Sequence, residues 1–268
     1  MNHPPSRIVT LITDFGIRDS YVGTMKGVIH KLHAQAIIVD LTHEIKPQDL
    51  MEAALVLESC YRFFPDGTTH VVVVDPGVGT RRRPIIVDTQ DHLFVGPDNG
   101  VFSRIYQACE RWEVREIDDE RFTLPQISDT FHGRDIFAPA AAHLSRGIAS
   151  SEFGPTVADP VRRDPPQPVV WQDQITGEVI HIDSFGNVIT NITRELFEMI
   201  VRGRRFRIEI NGKVIDSISR SYQAVDRGKP LALFGSMEML EVAIHSGRAD
   251  RRLGVGRGDP IQVMTEPL

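Results

Sequence analysis

The chain has 268 residues, 36 of them acidic and 30 basic, for a formal net charge of −6. That length supports a sizeable core and suits two domains better than one, and the charge balance argues against non-specific nucleic-acid binding. The basic runs Arg81-Arg82-Arg83 and Arg202-Gly203-Arg204-Arg205 are short and separated, the pattern of a solvated face.

The polar start Met1-Asn2-His3-Pro4-Pro5 carries no apolar secretion segment. An apolar strand over 8–12 closes on Thr13-Asp14-Phe15-Gly16. Asp19 or Ser20 can cap a helix through Tyr21, Met25, Val28, Ile29 and Leu32, whose apolar residues recur at helical spacing. A second strand over 36–41 ends in Thr42-His43-Glu44. Asp49 can cap a helix holding Ala53, Ala54, Leu57 and Cys60. Val71-Val72-Val73-Val74 is then a strand covered on both faces, and it stops on Asp75-Pro76-Gly77, a carboxylate followed by a turn. Strands alternating with helices predict a mostly parallel α/β sheet with right-handed crossovers.

Short strands over 84–87 and 92–95 suggest a hairpin-like extension, followed by the turn Gly96-Pro97-Asp98-Asn99-Gly100 and a helix through Val101, Ile105 and Ala108. A strand over 113–117 follows. Phe131-His132-Gly133-Arg134-Asp135 leads into a helix over 136–144, with Pro139 in its first turn. Cys60 and Cys109 both lie in helical patterns, which fits free thiols in a reducing compartment. No apolar run approaches the about 18 residues of a membrane span. Together these features predict a soluble cytoplasmic protein.

Residues 158–172 are rich in proline and predict a linker between a domain over 1–157 and another over 173–268. The second is mostly β, with strands over 179–182, 188–192, 206–210, 214–218, 231–234 and 241–244. Asn211-Gly212 is a tight-hairpin signal. This pattern predicts a small barrel or sandwich.

Asp14, Asp75 and Asp98 all fall near strand ends. In a parallel sheet those ends share the rim that usually carries chemistry, so the three can face one crevice; equally, each can cap a loop. His132 suits a base, a water-orienting group or a loop histidine bonded to backbone. His43 merely ends a strand. A metal held by Asp14, Asp75 and His132 is conceivable, but no zinc-type spacing, HExxH or CxxC is present. Gly254-Val255-Gly256-Arg257-Gly258 lacks a Walker lysine and is read as turns. In Asp183-Ser184-Phe185-Gly186-Asn187 an aromatic ring beside an amide suits a heteroaromatic base, although the segment is also an ordinary turn.

Thr13-Asp14-Phe15-Gly16, Asp75-Pro76-Gly77-Val78-Gly79-Thr80, Gly96-Pro97-Asp98-Asn99-Gly100, Thr130-Phe131-His132-Gly133-Arg134-Asp135 and Phe185-Gly186-Asn187 occur in this order. Together they resemble the S-adenosyl-L-methionine hydroxide adenosyltransferase family, related to the fluorinases and chlorinases. The resemblance implies an N-terminal α/β domain and a smaller C-terminal β-barrel domain. It implies a hydrolase that cleaves S-adenosyl-L-methionine with water at the ribose C5′ carbon to give adenosine and L-methionine, with no cofactor and no metal. It implies a homotrimer with each active site between neighbouring subunits, and no nucleic-acid or membrane partner.

The family's catalytic set falls on Asp75, Arg82 and His132, with Asp75 and His132 expected to face the attacking water. Asp14 matches the carboxylate on the ribose hydroxyls. Asp183, Phe185 and Asn187 match residues around the substrate, and Ser236 one that holds the methionine part. The fluorinases have tyrosine and serine where this chain has His132 and Gly133; the chlorinase has tyrosine before glycine. Gly235-Ser236-Met237-Glu238 departs from the family's frequent Asn-Ser-x-Gly. The competing readings are a chlorinase of the same fold and a non-catalytic protein that binds S-adenosylmethionine or adenosine.

Overall fold

A computed structural model describes residues 6–266; the polar N-terminal segment 1–5 lies outside the described residues. The chain divides into two compact units, Met1–Pro165 and Pro166–Leu268.

The first unit runs β1 (Ile8–Thr13), α1 (Tyr21–Leu32), β2 (Ile37–Thr42), α2 (Leu50–Cys60), β3 (Thr69–Val73), β4 (Pro84–Thr89), β5 (Leu93–Pro97), α3 (Ser103–Ala108), β6 (Trp112–Glu116) and α4 (Ala138–Ser145). Among the described residues its sheet has six strands in the order β2-β1-β3-β5-β4-β6. β2, β1, β3 and β5 are parallel, and β4 is antiparallel to β5 and β6. The valine run explains its centre. Side chains alternate along a strand, so Val71 and Val73 enter a core with Met25, Ile29 and the alanines of α4. Val72 and Val74 enter another with Ala53 and Leu57 of α2 and Ile105 of α3. Burial of each valine contributes about 1.5–3 kcal/mol. Two helical layers therefore pin β3, and with it the residue that follows, Asp75.

Asp49 caps α2 as expected, its Oδ1 accepting from the Glu52 amide at 3.0 Å. The helix expected over 136–144 begins earlier, as a π-turn over Gly133–Phe137 that continues into α4. Pro139 supplies the reason. It has no N–H for the Asp135 carbonyl four residues back, and its ring crowds that carbonyl. The Asp135 carbonyl accepts instead from the Leu124 amide at 2.8 Å. His132 sits immediately before this widened turn.

The second unit contains β7 (Val169–Trp171), β8 (Gln174–Ile182), β9 (Val188–Thr193), α5 (Arg194–Val201), β10 (Phe206–Ile210), β11 (Lys213–Ile215), β12 (Pro230–Phe234), β13 (Met239–Ile244), α6 (Ala249–Leu253) and β14 (Pro260–Thr265). Its strands run β11-β10-β14-β8-β9-β13-β12, with β7 paired to β8. Just beyond β11, Ile218 bridges Ala232 of β12, which nearly closes the sheet into a barrel. Asn211 and Gly212 form the hairpin turn with φ of 43° and 71°, the left-handed pair such a turn requires.

The strand expected over 214–218 is shorter than the pattern suggests. Unforeseen are β7, α5, α6 and β14. Thr193 caps α5, accepting from the Leu196 amide at 3.2 Å, and α5 buries Phe197 and Val201. β14 alternates, with Ile261 and Val263 fully buried. Its pattern was masked by the glycine-rich segment before it, where Gly254 ends α6 in a left-handed conformation. Among the described residues no helix is long and apolar enough to cross a membrane.

Candidate active site

The parallel register pairs Thr13 with Val73, so Asp14 and Asp75 follow adjacent strands at one rim. Asp75 is met by Arg82 from its own loop. Arg82 Nε donates to both carboxylate oxygens, at 3.1 and 2.9 Å, and Nη2 donates to Oδ2 at 2.5 Å. Both side chains are more than nine-tenths buried. The same Nη2 lies 2.6 Å from His132 Nδ1. A guanidinium only donates, so Nδ1 accepts and the neutral ring carries its proton on Nε2. Burial first, and Arg82 second, push the His132 pKa below its ordinary value, against an opposing pull from Asp75. The imidazole is therefore neutral at neutral pH. Arg82 Nη1 is buried without a partner, and its guanidinium carbon stands 5.2 Å from the centre of the Phe137 ring.

Backbone geometry brings these groups together. Gly79 has a φ of +75°, and a Cβ there would stand 2.3 Å from the Asp129 carbonyl oxygen. Only glycine lets the 75–82 loop lie this close to the segment leading to His132. That segment is anchored by Asp135, fully buried, which accepts from Ser128 Oγ at 2.8 Å and from Arg134 Nε at 2.6 Å. Burial alone would raise the Asp135 carboxyl; the hydrogen bonds from Arg134 and Ser128 outweigh it and lower the pKa.

Asp14 accepts from the Gln48 amide at 2.8 Å. The next residue, Phe15, packs edge-on against Phe131 at 5.9 Å, which ties the Asp14 loop to the residue before His132. His43, passed over in the sequence, helps hold that loop. Its Nδ1 lies 2.9 Å from Thr13 Oγ1, and its carbonyl accepts from the Gly16 amide at 2.7 Å. The only sequence signal for it was a polar residue closing the neighbouring strand.

Asp98 does not share this cluster's chemistry. It is buried; Oδ2 accepts from Arg83 Nε at 2.9 Å and Oδ1 from the Val161 amide at 2.8 Å, so it pins the 159–163 segment. The arginine run is correspondingly not one solvated face. Arg81 is exposed, Arg82 is buried in the cluster, and Arg83 pairs with Asp98 and Asp159.

In the second unit, Asp183, Phe185 and Asn187 come together at a cavity of about 530 Å³, with Tyr222, Ile244 and Ser246 also lining it. Both oxygens of Asp183 accept from Asn187, one from its backbone N–H and one from Nδ2, each at 2.8 Å. The amide nitrogen therefore faces Asp183, which leaves Asn187 Oδ1 as an acceptor for a ligand. Phe185 is 75% exposed. Gly186, with a φ of +85°, makes the turn. Ser236 lies apart, in the exposed turn between β12 and β13, and does not line this cavity. Tyr222, Ile244 and Ser246 were missed in the sequence because they come from a loop and a strand end far along the chain. No group of His, Cys, Asp and Glu suited to a metal is present among the described residues.

The family model for the SAM hydroxide adenosyltransferase N-terminal domain matches residues 9–154, and that for the C-terminal domain matches residues 177–262. An (R)-S-adenosyl-L-methionine hydrolase of Thermus thermophilus is 36% identical over 265 residues, which cover 96% of this chain and 100% of the relative. A fluorinase of Nocardia brasiliensis is 26% identical over 253 residues, covering 83% of this chain and 84% of the relative. The crystal structure of an uncharacterized conserved protein from Thermotoga maritima aligns with a TM-score of 0.90 at 37% identity, over 96% of this chain and 99% of that one.

Proposed function

This chain belongs to the SAM hydroxide adenosyltransferase family, and we propose that it acts as a hydrolase of that family with Asp75, Arg82 and His132 carrying the reaction. The enzyme cleaves S-adenosyl-L-methionine with water to adenosine and L-methionine. A water oxygen bonds to the ribose C5′ carbon, and the C5′–S bond breaks with its electron pair going to sulfur. Sulfonium is already a good leaving group, so no general acid is required. Catalysis then rests on holding water in line with the bond that breaks.

The observation that carries this reading is one guanidinium joined to both Asp75 and His132. With Nδ1 occupied by Arg82, neutral His132 donates through Nε2 to the water oxygen. The water's own protons then point at Asp75, the one of the three that can take a proton from it. An oxygen newly bonded to C5′ is a strong acid, so a carboxylate is a sufficient acceptor. His132 thus faces the water as a donor, which suits the water-orienting role rather than that of a base.

Asp14 holds the ribose hydroxyls, Phe185 stacks on the adenine, and Asn187 Oδ1 accepts from its amino group; Asp183 orients Asn187. Ser236 holds the methionine part from its exposed turn. A homotrimer, in which the N-terminal unit of one subunit and the C-terminal unit of the next complete each site, accounts for the exposure of the Phe185 ring. The free thiols of Cys60 and Cys109 support a reducing, cytoplasmic compartment. The two working domains are 1–157 and 173–268, and the 158–172 segment joins them, held on the first by Asp98 and on the second through β7.

Gly133 supports water over fluoride as nucleophile. The fluorinases carry a serine at this position, and glycine brings no hydroxyl there to hold fluoride. The test is to incubate the protein with S-adenosylmethionine and a chelator, with and without chloride, and resolve the products. Equal adenosine and methionine, independent of chloride, is the expected result. A 5′-chloro-adenosine product would move the enzyme to the chlorinase reading, and binding without either product would overturn catalysis.

A further inference from the structure

Tyr222 stands in an irregular loop between β11 and β12, and its ring lines the cavity beside Phe185 and Asn187. A tyrosine that is 44% exposed on a loop ordinarily samples several rotamers. Here its hydroxyl donates to Glu241 Oε1 at 2.8 Å. Glu241 lies on β13, opposite Leu233 of β12 and Ile189 of β9, and is 5% exposed. A buried carboxylate is costly unless something repays it. Among the described residues, the group that donates to it is the Tyr222 phenol.

The backbone around Glu241 is fitted to this pair. A Cβ at Gly235 would stand 2.6 Å from Glu241 Oε2. Gly235 is the position at which this chain departs from the asparagine frequent in the family, and a glycine here leaves the carboxylate its place. The Tyr222 loop is pinned from the other side. The Val225 carbonyl accepts from His245 Nδ1 at 2.8 Å, and the Gly228 amide donates to the His245 carbonyl at 2.8 Å. The loop backbone is thus fixed at one end, and Glu241 fixes the side chain that reaches the cavity.

We propose that Glu241 is a positioning residue for nucleoside binding, holding the Tyr222 ring as a wall of the base-binding cavity, with Gly235 the small residue that admits the pair. This rests on the hydrolase reading only in taking the ligand to be a nucleoside. Pre-setting the ring removes an ordering cost from binding, so the pair acts on affinity and not on the bond-breaking step. Burial and the hydrogen bond to Glu241 push the Tyr222 phenol up to about 12, as a phenol donating to a carboxylate requires. Burial raises the Glu241 carboxyl, Tyr222 opposes that rise, and Asp183 adds to it.

The experiment compares wild type with Glu241→Ala, Glu241→Gln, Tyr222→Phe and the Glu241→Ala/Tyr222→Phe double variant. Adenosine affinity is measured by calorimetry, and KM and kcat are measured for S-adenosylmethionine. Glu241→Ala should weaken adenosine binding and raise KM about tenfold, with kcat within about twofold. Glu241→Gln keeps an acceptor oxygen for the phenol and should restore most of the affinity. The double variant should bind no worse than Glu241→Ala alone, because both changes remove the same contact. A folded Glu241→Ala variant that binds adenosine as wild type does, or strictly additive losses in the double variant, would overturn the proposal. Wild type that binds adenosine but hydrolyses nothing would overturn the hydrolase reading and leave this one standing; wild type that does not bind adenosine would overturn the cavity's assignment and this proposal with it.

Discussion

Two histidines of the first unit, His70 and His132, show what separates a structural imidazole from a working one. His70 lies within β3, fully buried, its Nδ1 2.8 Å from Thr10 Oγ1 and its Nε2 3.3 Å from His92 Nδ1. Its ring stacks on Phe94 at 5.2 Å. Burial, and then His92, push its pKa down to about 3. His132 stands at the other end of the sheet, half-buried, and its pKa also falls through burial and a neighbouring cation. A depressed pKa therefore does not tell the two apart. The difference lies in the partners. Both nitrogens of His70 are spent inside the protein. His132 spends one on Arg82, and among the described residues its Nε2 makes no hydrogen bond to the protein. An imidazole with one nitrogen fixed by a held charge and the other open to a ligand can act on a substrate; one with both nitrogens used can only hold the fold.

The comparison is broken or sharpened most strongly by deleting each ring. His132→Ala should lower turnover about 10²- to 10³-fold, the range for losing one preorganised hydrogen-bond donor at the reacting group, while the melting temperature stays close to wild type. Adenosine release and a thermal melt on the same sample check both halves. His70→Ala should do the reverse, with turnover per folded molecule near wild type and unfolding free energy lower by about 2–4 kcal/mol through a cavity and a lost buried hydrogen bond. Denaturant titration measures this. A loss of turnover in His70→Ala at unchanged stability would erase the distinction.

The smallest effect is the pH response, which also separates the two. Unfolded His70 takes up a proton below its ordinary value of 6.5, but the folded group does so only near 3. Between those values the unfolded state binds more protons, so stability is full above pH 6.5 and falls toward pH 3, by at most about 1.4 kcal/mol per pH unit. His70→Ala should flatten that part of the stability curve. Turnover should fall on the acid side below pH 6.5 as His132 gains a proton on Nδ1, which then faces the Arg82 donor. Turnover that already falls as the pH drops from about 8 toward 7 in a folded sample would sink the neutral role given to His132, because its lowered pKa keeps the ring neutral there.

Much of the architecture was legible because it is written in local pattern. Val71 to Val74 announced a strand buried on both faces, and the two helical layers are there. Asn211-Gly212 announced a hairpin because a two-residue turn needs positive φ at both positions. Asp49 announced a helix start. Where local pattern was weak, the reading failed: α5 and α6 are short, and β14 follows a glycine-rich stretch that resembles a chain end.

What the sequence by itself determined was a fold class and an ordered set of motifs, since periodicity, turn chemistry and residue type are properties of neighbours in the chain. The tertiary structure decided partnership. Arg81, Arg82 and Arg83 are alike in sequence, and only the meeting of Arg82 with a residue 50 positions away separates the one in the cluster from the exposed one and from the one bound to Asp98. The same holds for Asp98 against Asp75, both strand-end carboxylates, and for Tyr222, whose acceptor lies 19 residues on in another strand. A charge takes its role from what neutralises or donates to it, and those partners are brought into reach only when distant strands and loops pack together.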